Sequence, residues 1–146
     1  MYSACLTAHS LLRWAVVVAG LVAAARAWPA ASRWRPSPWG AVFTVLFDVQ
    51  VTLGLILYFL LSPITTTAIH RMGAVMSNDV ARFWAIEHPV GMLAALALAH
   101  IGRVKARRAA DDPRMRRRAA IYLTLAIAIV LFSVPWPFLP YGRPLL

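Results

Sequence analysis

Four apolar runs, each close to the length of a membrane span, constrain this chain more than any other feature. They extend over about residues 4–25, 39–61, 80–102 and 119–134, and a helix needs about 20 apolar residues to cross a bilayer. The chain of 146 residues is 61% hydrophobic, which is more than a soluble domain of this size can bury in one core. The runs therefore predict an all-α integral membrane protein, in which residues 1–146 form a single four-helix, up-down-up-down bundle.

Basic residues dominate the charge, with 15 Lys and Arg against five Asp and Glu and a formal net charge of +10. Connectors rich in Lys and Arg face the cytoplasm, so the first and third connectors are predicted to be cytoplasmic and both termini to lie outside. These connectors are also expected to meet anionic lipid headgroups, and no nucleic-acid motif accompanies them. Eleven basic residues lie in or beside the two connectors: Arg26, Arg33, Arg35, Arg103, Lys105, Arg107, Arg108, Arg114, Arg116, Arg117 and Arg118.

Ionisable residues inside the apolar runs are costly in lipid and therefore indicate a function. The first run carries His9 and Arg13, four residues apart on one helix face. The third run carries the adjacent Glu87 and His88. At a rise of about 1.5 Å per residue, His9 lies roughly 8 Å and His88 roughly 12 Å from the outer ends of their runs. Because the first and third helices of such a bundle are diagonal neighbours, these side chains are expected to converge on its central axis.

Two histidines at one level leave several interpretations open. His9 and His88 can be the axial ligands of one haem b, with Arg13 facing a propionate or Glu87. They can instead join Glu87 in hydrogen bonds between helices. A third interpretation is a quinone pocket, or a transition-metal site made of both histidines and Glu87. The sequence contains no hydrolase or phosphate-loop motif, so a stand-alone catalyst is not indicated.

The second run adds one more charge, Asp48. Its expected depth lies within several ångström of that of Arg13, so we expect a buried Arg13–Asp48 ion pair that fixes helix register. His100 lies about 18 Å deeper than His88, and no second histidine matches its level. A hydrogen bond or a headgroup contact is therefore expected for His100, and solvent exposure for His70 in the outer connector.

Capping residues predict where two helices begin. Asp112 followed by Pro113 is a signature of a helix N-cap and first turn, so the last helix is expected to start before its apolar part. One of residues 77–79 is expected to cap the third span. Apolar residues at helical spacing in the connector before that cap predict a short helix lying at the outer interface.

Four short motifs occur in order along nearly the whole chain. They are HSLLRW at residues 9–14, DVQ at residues 48–50 followed by Gly54, Glu87-His88, and Pro135-Trp136. Together they resemble a family of small bacterial four-span proteins often labelled cytochrome b-like. The resemblance implies an inner-membrane electron carrier with periplasmic termini that binds haem b through His9 and His88.

Such a carrier would pass electrons to a quinone or to other membrane proteins of an electron-transfer complex. Haem-binding four-helix cytochromes of larger size tend to carry paired histidines at two levels, and this chain lacks the second pair. The alternative is a cofactor-free accessory subunit of a larger respiratory or photosynthetic membrane complex. A short chain with almost no soluble part suits that role.

Overall fold

The computed structural model describes residues 1–28, 37–109 and 112–142. It is 84% helical and has no strand within those ranges, so the predicted all-α class is confirmed there. The α-helices are α1 (Tyr2–Ala27), α2 (Trp39–Ile56), α3 (Pro63–Ile69), α4 (Met72–Met76), α5 (Asp79–Arg82), α6 (His88–Arg107) and α7 (Pro113–Ser133). There are also two π-helical segments among the described residues. The first, Leu57–Leu61, continues α2, and the second, Phe83–Glu87, joins α5 to α6.

Three helical stretches of the described chain are long and apolar enough to cross a membrane, namely Tyr2–Ala27, Trp39–Leu61 and Asp79–Arg107. They coincide with the first three predicted runs. Helix α7 begins with an arginine-rich turn, and its apolar part, residues 119–133, is shorter than the roughly 20 residues that a bilayer requires. Of the basic connector residues, Arg33 and Arg35 lie outside the described residues.

Side-chain caps begin the helices where the sequence predicts them. The Asp112 side chain accepts hydrogen bonds from the backbone N–H groups of Arg114 and Met115, and Pro113 occupies the first turn. The Asn78 side chain accepts from the N–H of Ala81 and starts α5. Both predicted caps are confirmed, because each satisfies N–H groups that a helix start leaves without an intrahelical partner. The connector between the second and third spans is also helical, as α3 and α4.

The four long helices pack as neighbouring pairs around one core. Helix α1 packs against α2 and α7, and α6 packs against the same two helices. At the centre the fully buried rings of Phe43 and Phe47 stack with centroids 5.5 Å apart. Much of the remaining core is alanine, and these small side chains allow helices to approach closely. The arrangement places α1 opposite α6, with α2 and α7 between them.

At Gly102, α6 lies close to the backbone of α7. A Cβ atom there would lie 2.9 Å from Leu123 Cγ and 3.2 Å from the Leu123 backbone nitrogen. We expect Gly102→Ala to lower the free energy of unfolding by about 1–3 kcal/mol, because the two helices must move apart. Thermal unfolding in detergent, followed by circular dichroism, measures this change.

Gly40 provides the matched control, since a Cβ atom there meets nothing within 4 Å. Gly40→Ala should leave stability unchanged or raise it by up to about 1 kcal/mol, through the lower conformational entropy of the unfolded chain. Equal stability of the two variants would contradict the close packing of α6 on α7.

Candidate functional site

The imidazole rings of His9 on α1 and His88 on α6 lie next to each other. Their centroids are 6.4 Å apart and their planes are inclined by 71°. Both histidines line two small cavities, one of about 90 Å³ on the α2 side and one of about 50 Å³ on the α7 side. The structure therefore brings together the two histidines that the sequence singles out, and space flanks the pair on two sides.

The ring of His88 is oriented by the end of α7. Its Nδ1 atom lies 2.7 Å from the backbone carbonyl oxygen of Ser133. A carbonyl oxygen only accepts hydrogen bonds, so Nδ1 carries the proton, and in the neutral ring Nε2 holds the lone pair. Histidines that ligate metals characteristically donate their other N–H to a carbonyl or carboxylate in this way. The rings of Phe83 and Trp84 pack beside His88 at centroid distances of 5.8 and 5.7 Å.

The position of His9 is fixed by α2. Gln50 Nε2 donates a hydrogen bond of 2.9 Å to the His9 carbonyl oxygen. Gly54 admits the His9 ring, because a Cβ atom on Gly54 would lie 3.1 Å from His9 Cε1. Within the described chain, His9 Nδ1 and Gln50 Oε1 are buried without a hydrogen-bond partner. Such groups are rare in native proteins, and both belong to residues that line the two cavities.

Hydrogen bonds around the larger cavity tie the two π-helical segments together. The Tyr58 hydroxyl donates to the Ala85 carbonyl at 2.7 Å. The Thr65 hydroxyl donates to the Tyr58 carbonyl at 2.8 Å, so a residue of α3 satisfies a carbonyl of the first π-helical segment. Departures from α-helical geometry of this kind often mark functional sites, and here both adjoin the cavity that His9 and His88 line.

Glu87 lies at the edge of the site rather than between the histidines. Its carboxylate accepts a hydrogen bond of 2.7 Å from Arg82 Nε, and the Arg82 guanidinium also contacts Asp79. In the described part of the chain, no group of three or more His, Cys, Asp or Glu residues is placed to hold a metal ion. In this structure the partner of the Glu87 carboxylate is thus Arg82 of α5.

Arg13 remains part of the site. Its side chain is buried, its guanidinium lies 5.1 Å from the ring centroid of Trp14, and it lines the smaller cavity with His9 and His88. A guanidinium in contact with an aromatic face is stabilised by the ring quadrupole. The site therefore combines two imidazoles with one buried cation.

Asp48 pairs with His100, and this contact replaces the expected pair with Arg13. The Asp48 Oδ1 atom lies 2.9 Å from His100 Nε2. The reason is helix rotation: Gln50 contacts α1, and two residues at about 100° each turn Asp48 away from α1, where His100 of α6 reaches it. The expected hydrogen bond of His100 is confirmed by this contact, and His70 is exposed as predicted.

A second contact extends this polar group, and sequence reasoning missed it. Arg103 Nη1 donates a hydrogen bond of 2.8 Å to the hydroxyl of Thr44, which is fully buried. Thr44 precedes Asp48 by four residues and Arg103 follows His100 by three, so the two contacts stack along the α2–α6 interface. These separations of four and three residues were the sequence signal from which the second contact could have been predicted.

The Asp48–His100 contact predicts a measurable coupling between the two side chains. In a double-mutant cycle with Asp48→Asn and His100→Gln, we expect a coupling of about 0.5–3 kcal/mol in the free energy of unfolding, as residues in contact show. The matched cycle of Asp48→Asn with Arg13→Gln should give a smaller coupling, below about 0.5 kcal/mol. Reversible unfolding in mixed detergent measures both. A larger value for the Arg13 cycle would restore the pairing predicted from the sequence.

The chain has also been compared with known proteins. Comparison with family models, with curated proteins and with solved structures finds no match. The geometry of His9 and His88 and the chemistry of their surroundings are therefore the basis for a functional assignment.

Proposed function

We propose that the chain is a four-span protein of the bacterial inner membrane, an up-down-up-down bundle in which α7 is the fourth span. Large apolar side chains point outward from all four long helices, where only lipid or another membrane protein would cover them. The arginines that begin α7 can extend their charged ends to the headgroups and so lengthen its span. Half-exposed or more exposed examples are Val18, Val45, Leu60, Val90, Leu93, Leu125 and Phe132.

Within this bundle we propose that a single haem b binds, with His9 and His88 as the residues that would hold its iron. The observation that carries the proposal is the facing pair of imidazoles with ring centroids 6.4 Å apart. Neutral imidazole is a ligand of haem iron, so these two side chains would hold the metal of such a group. The donor set therefore fits the metal of a haem.

The surrounding residues have distinct roles in this proposal. The Ser133 carbonyl holds His88 in the tautomer that leaves Nε2 as the donor to a metal, and the Gln50 amide fixes the α1 backbone at His9. The buried cation of Arg13 is suited to a carboxylate such as a propionate. When bound, a bis-imidazole haem b supplies one-electron transfer. A quinone or another membrane protein of an electron-transfer complex would be the redox partner.

The size of the two cavities favours a second candidate function. Volumes of about 90 and 50 Å³ lie below the roughly 300–1,000 Å³ of sites that enclose organic ligands. Besides the two histidines and Gln50, both cavities share Leu6, Trp84 and Met92, and a macrocycle would require these three side chains to move apart. In the second candidate no cofactor binds, and the chain is an accessory subunit of a larger respiratory or photosynthetic membrane complex.

An absorption spectrum of the protein purified from membranes separates the two candidates. Under the haem proposal, the wild-type chain shows a Soret band that is lost in His9→Gly and in His88→Gly, because each variant removes one axial ligand. His70→Gly is the matched control, since His70 is exposed in the outer connector, and it should keep the band. Added imidazole should restore the band in the two ligand variants, which distinguishes a lost ligand from a lost fold.

The accessory-subunit candidate predicts a different set of results. The wild-type protein would be colourless after growth with excess haem precursor, and it would co-purify with a larger membrane complex. His9→Gly and His88→Gly would then lower stability without any spectral change. A colourless wild-type protein that takes up no added haem would exclude the electron-carrier proposal.

A further inference from the structure

A groove at the basic end of α6 lies far from the histidine pair. It has a volume of about 300 Å³ and is lined by His100, Ile101, Val104, Lys105, Arg108 and Met115. Its volume reaches the lower end of the range for small-molecule sites. Four of these residues lie on α6, Arg108 directly follows its last residue, and Met115 comes from the first turn of α7.

The chemistry of the groove changes along the helix axis. From His100 to Arg108, α6 rises by about 12 Å, and the cations Lys105 and Arg108 lie at the end nearest the loop. Between these cations and His100 at the inner end, the lining is apolar, with Ile101 and Val104 both exposed. No carboxylate is found in the lining formed by the described residues. The groove thus presents two cations next to an apolar surface, which matches an anionic amphiphile.

Both ends of the groove are held in place by neighbouring helices. The Lys105 Nζ atom lies 5.4 Å from the ring centroid of Tyr122 on α7, so α7 positions the cation. At the inner end, His100 is engaged by Asp48 of α2 at 2.9 Å. Positioned side chains lose less conformational entropy when a ligand binds than freely rotating surface lysines do.

We propose that this groove binds one anionic phospholipid, with its phosphate between Lys105 and Arg108 and an acyl chain along Val104, Ile101 and Met115. The charge complementarity of the lining carries this choice, because basic pockets between membrane helices on the cytoplasmic side suit phospholipid headgroups. A diffuse attraction of the basic connector for the membrane surface would need no such groove. The proposal rests on the membrane placement above and is independent of haem.

Native mass spectrometry of the full chain, titrated in detergent with phosphatidylglycerol, tests the proposal. We expect one lipid to bind with preference over phosphatidylcholine, and Lys105→Gln with Arg108→Gln to weaken binding at least tenfold. Arg117→Gln with Arg118→Gln removes the same charge from exposed arginines outside the groove and should change binding less than twofold. Val104→Gln alters only the apolar part of the groove. It should weaken the binding of phosphatidylglycerol without creating affinity for phosphatidylcholine.

Three outcomes would overturn the proposal. Equal weakening by the two double variants would indicate diffuse electrostatic attraction instead of a site. Unchanged binding in the Lys105 and Arg108 double variant would place the lipid elsewhere. Displacement by inorganic phosphate at concentrations similar to those of the lipid would indicate a site for a free anion. None of these results depends on a Soret band, so this proposal and the haem proposal fail separately.

Discussion

The cost of leaving a polar group without a partner among apolar helices is the constraint on which this arrangement depends. Apolar side chains can cover many helix rotations equally well, since lipid tails are as apolar as leucine. A hydrogen bond between helices fixes one rotation, and each of the four neighbouring helix pairs has at least one. These contacts are Gln50 to the His9 carbonyl, Asp48 to His100, His88 to the Ser133 carbonyl, and Trp28 to Thr124.

Local chemistry explains which parts of the fold could be predicted from the sequence. The lengths of the apolar runs and the caps at Asn78 and Asp112 depend only on neighbouring residues, and the helices begin where those signals occur. The two π-helical segments have no such signal. They depend on contacts between distant parts of the chain, such as the hydrogen bond from Tyr58 to the Ala85 carbonyl, and a sequence pattern does not reveal them.

For the candidate site, the depth of each side chain along its helix could be predicted from the sequence, but the rotation of each helix about its own axis could not. The rise per residue in a helix placed His9 and His88 at one level, and the structure brings their rings within 6.4 Å. The same argument placed Asp48 level with Arg13, but equal depth does not make two side chains face each other. Adjacent residues on a helix differ by about 100°, so His88 and Glu87 cannot both point at the core. His88 contacts Ser133 at the end of α7, whereas Glu87 pairs with Arg82.

The asymmetry between the two imidazoles bears on whether the site holds a ligand. His88 is oriented through Nδ1 by a backbone carbonyl, whereas the buried Nδ1 of His9 has no hydrogen-bond partner in the described chain. A histidine retained only to join helices would be expected to make a hydrogen bond, because a buried unsatisfied polar group costs about 1–3 kcal/mol. His9 instead lies against Gly54, in space that a larger residue on α2 would close. A group that bonds to this nitrogen would offset that cost, which is a physical argument for a ligand site over a purely structural histidine pair.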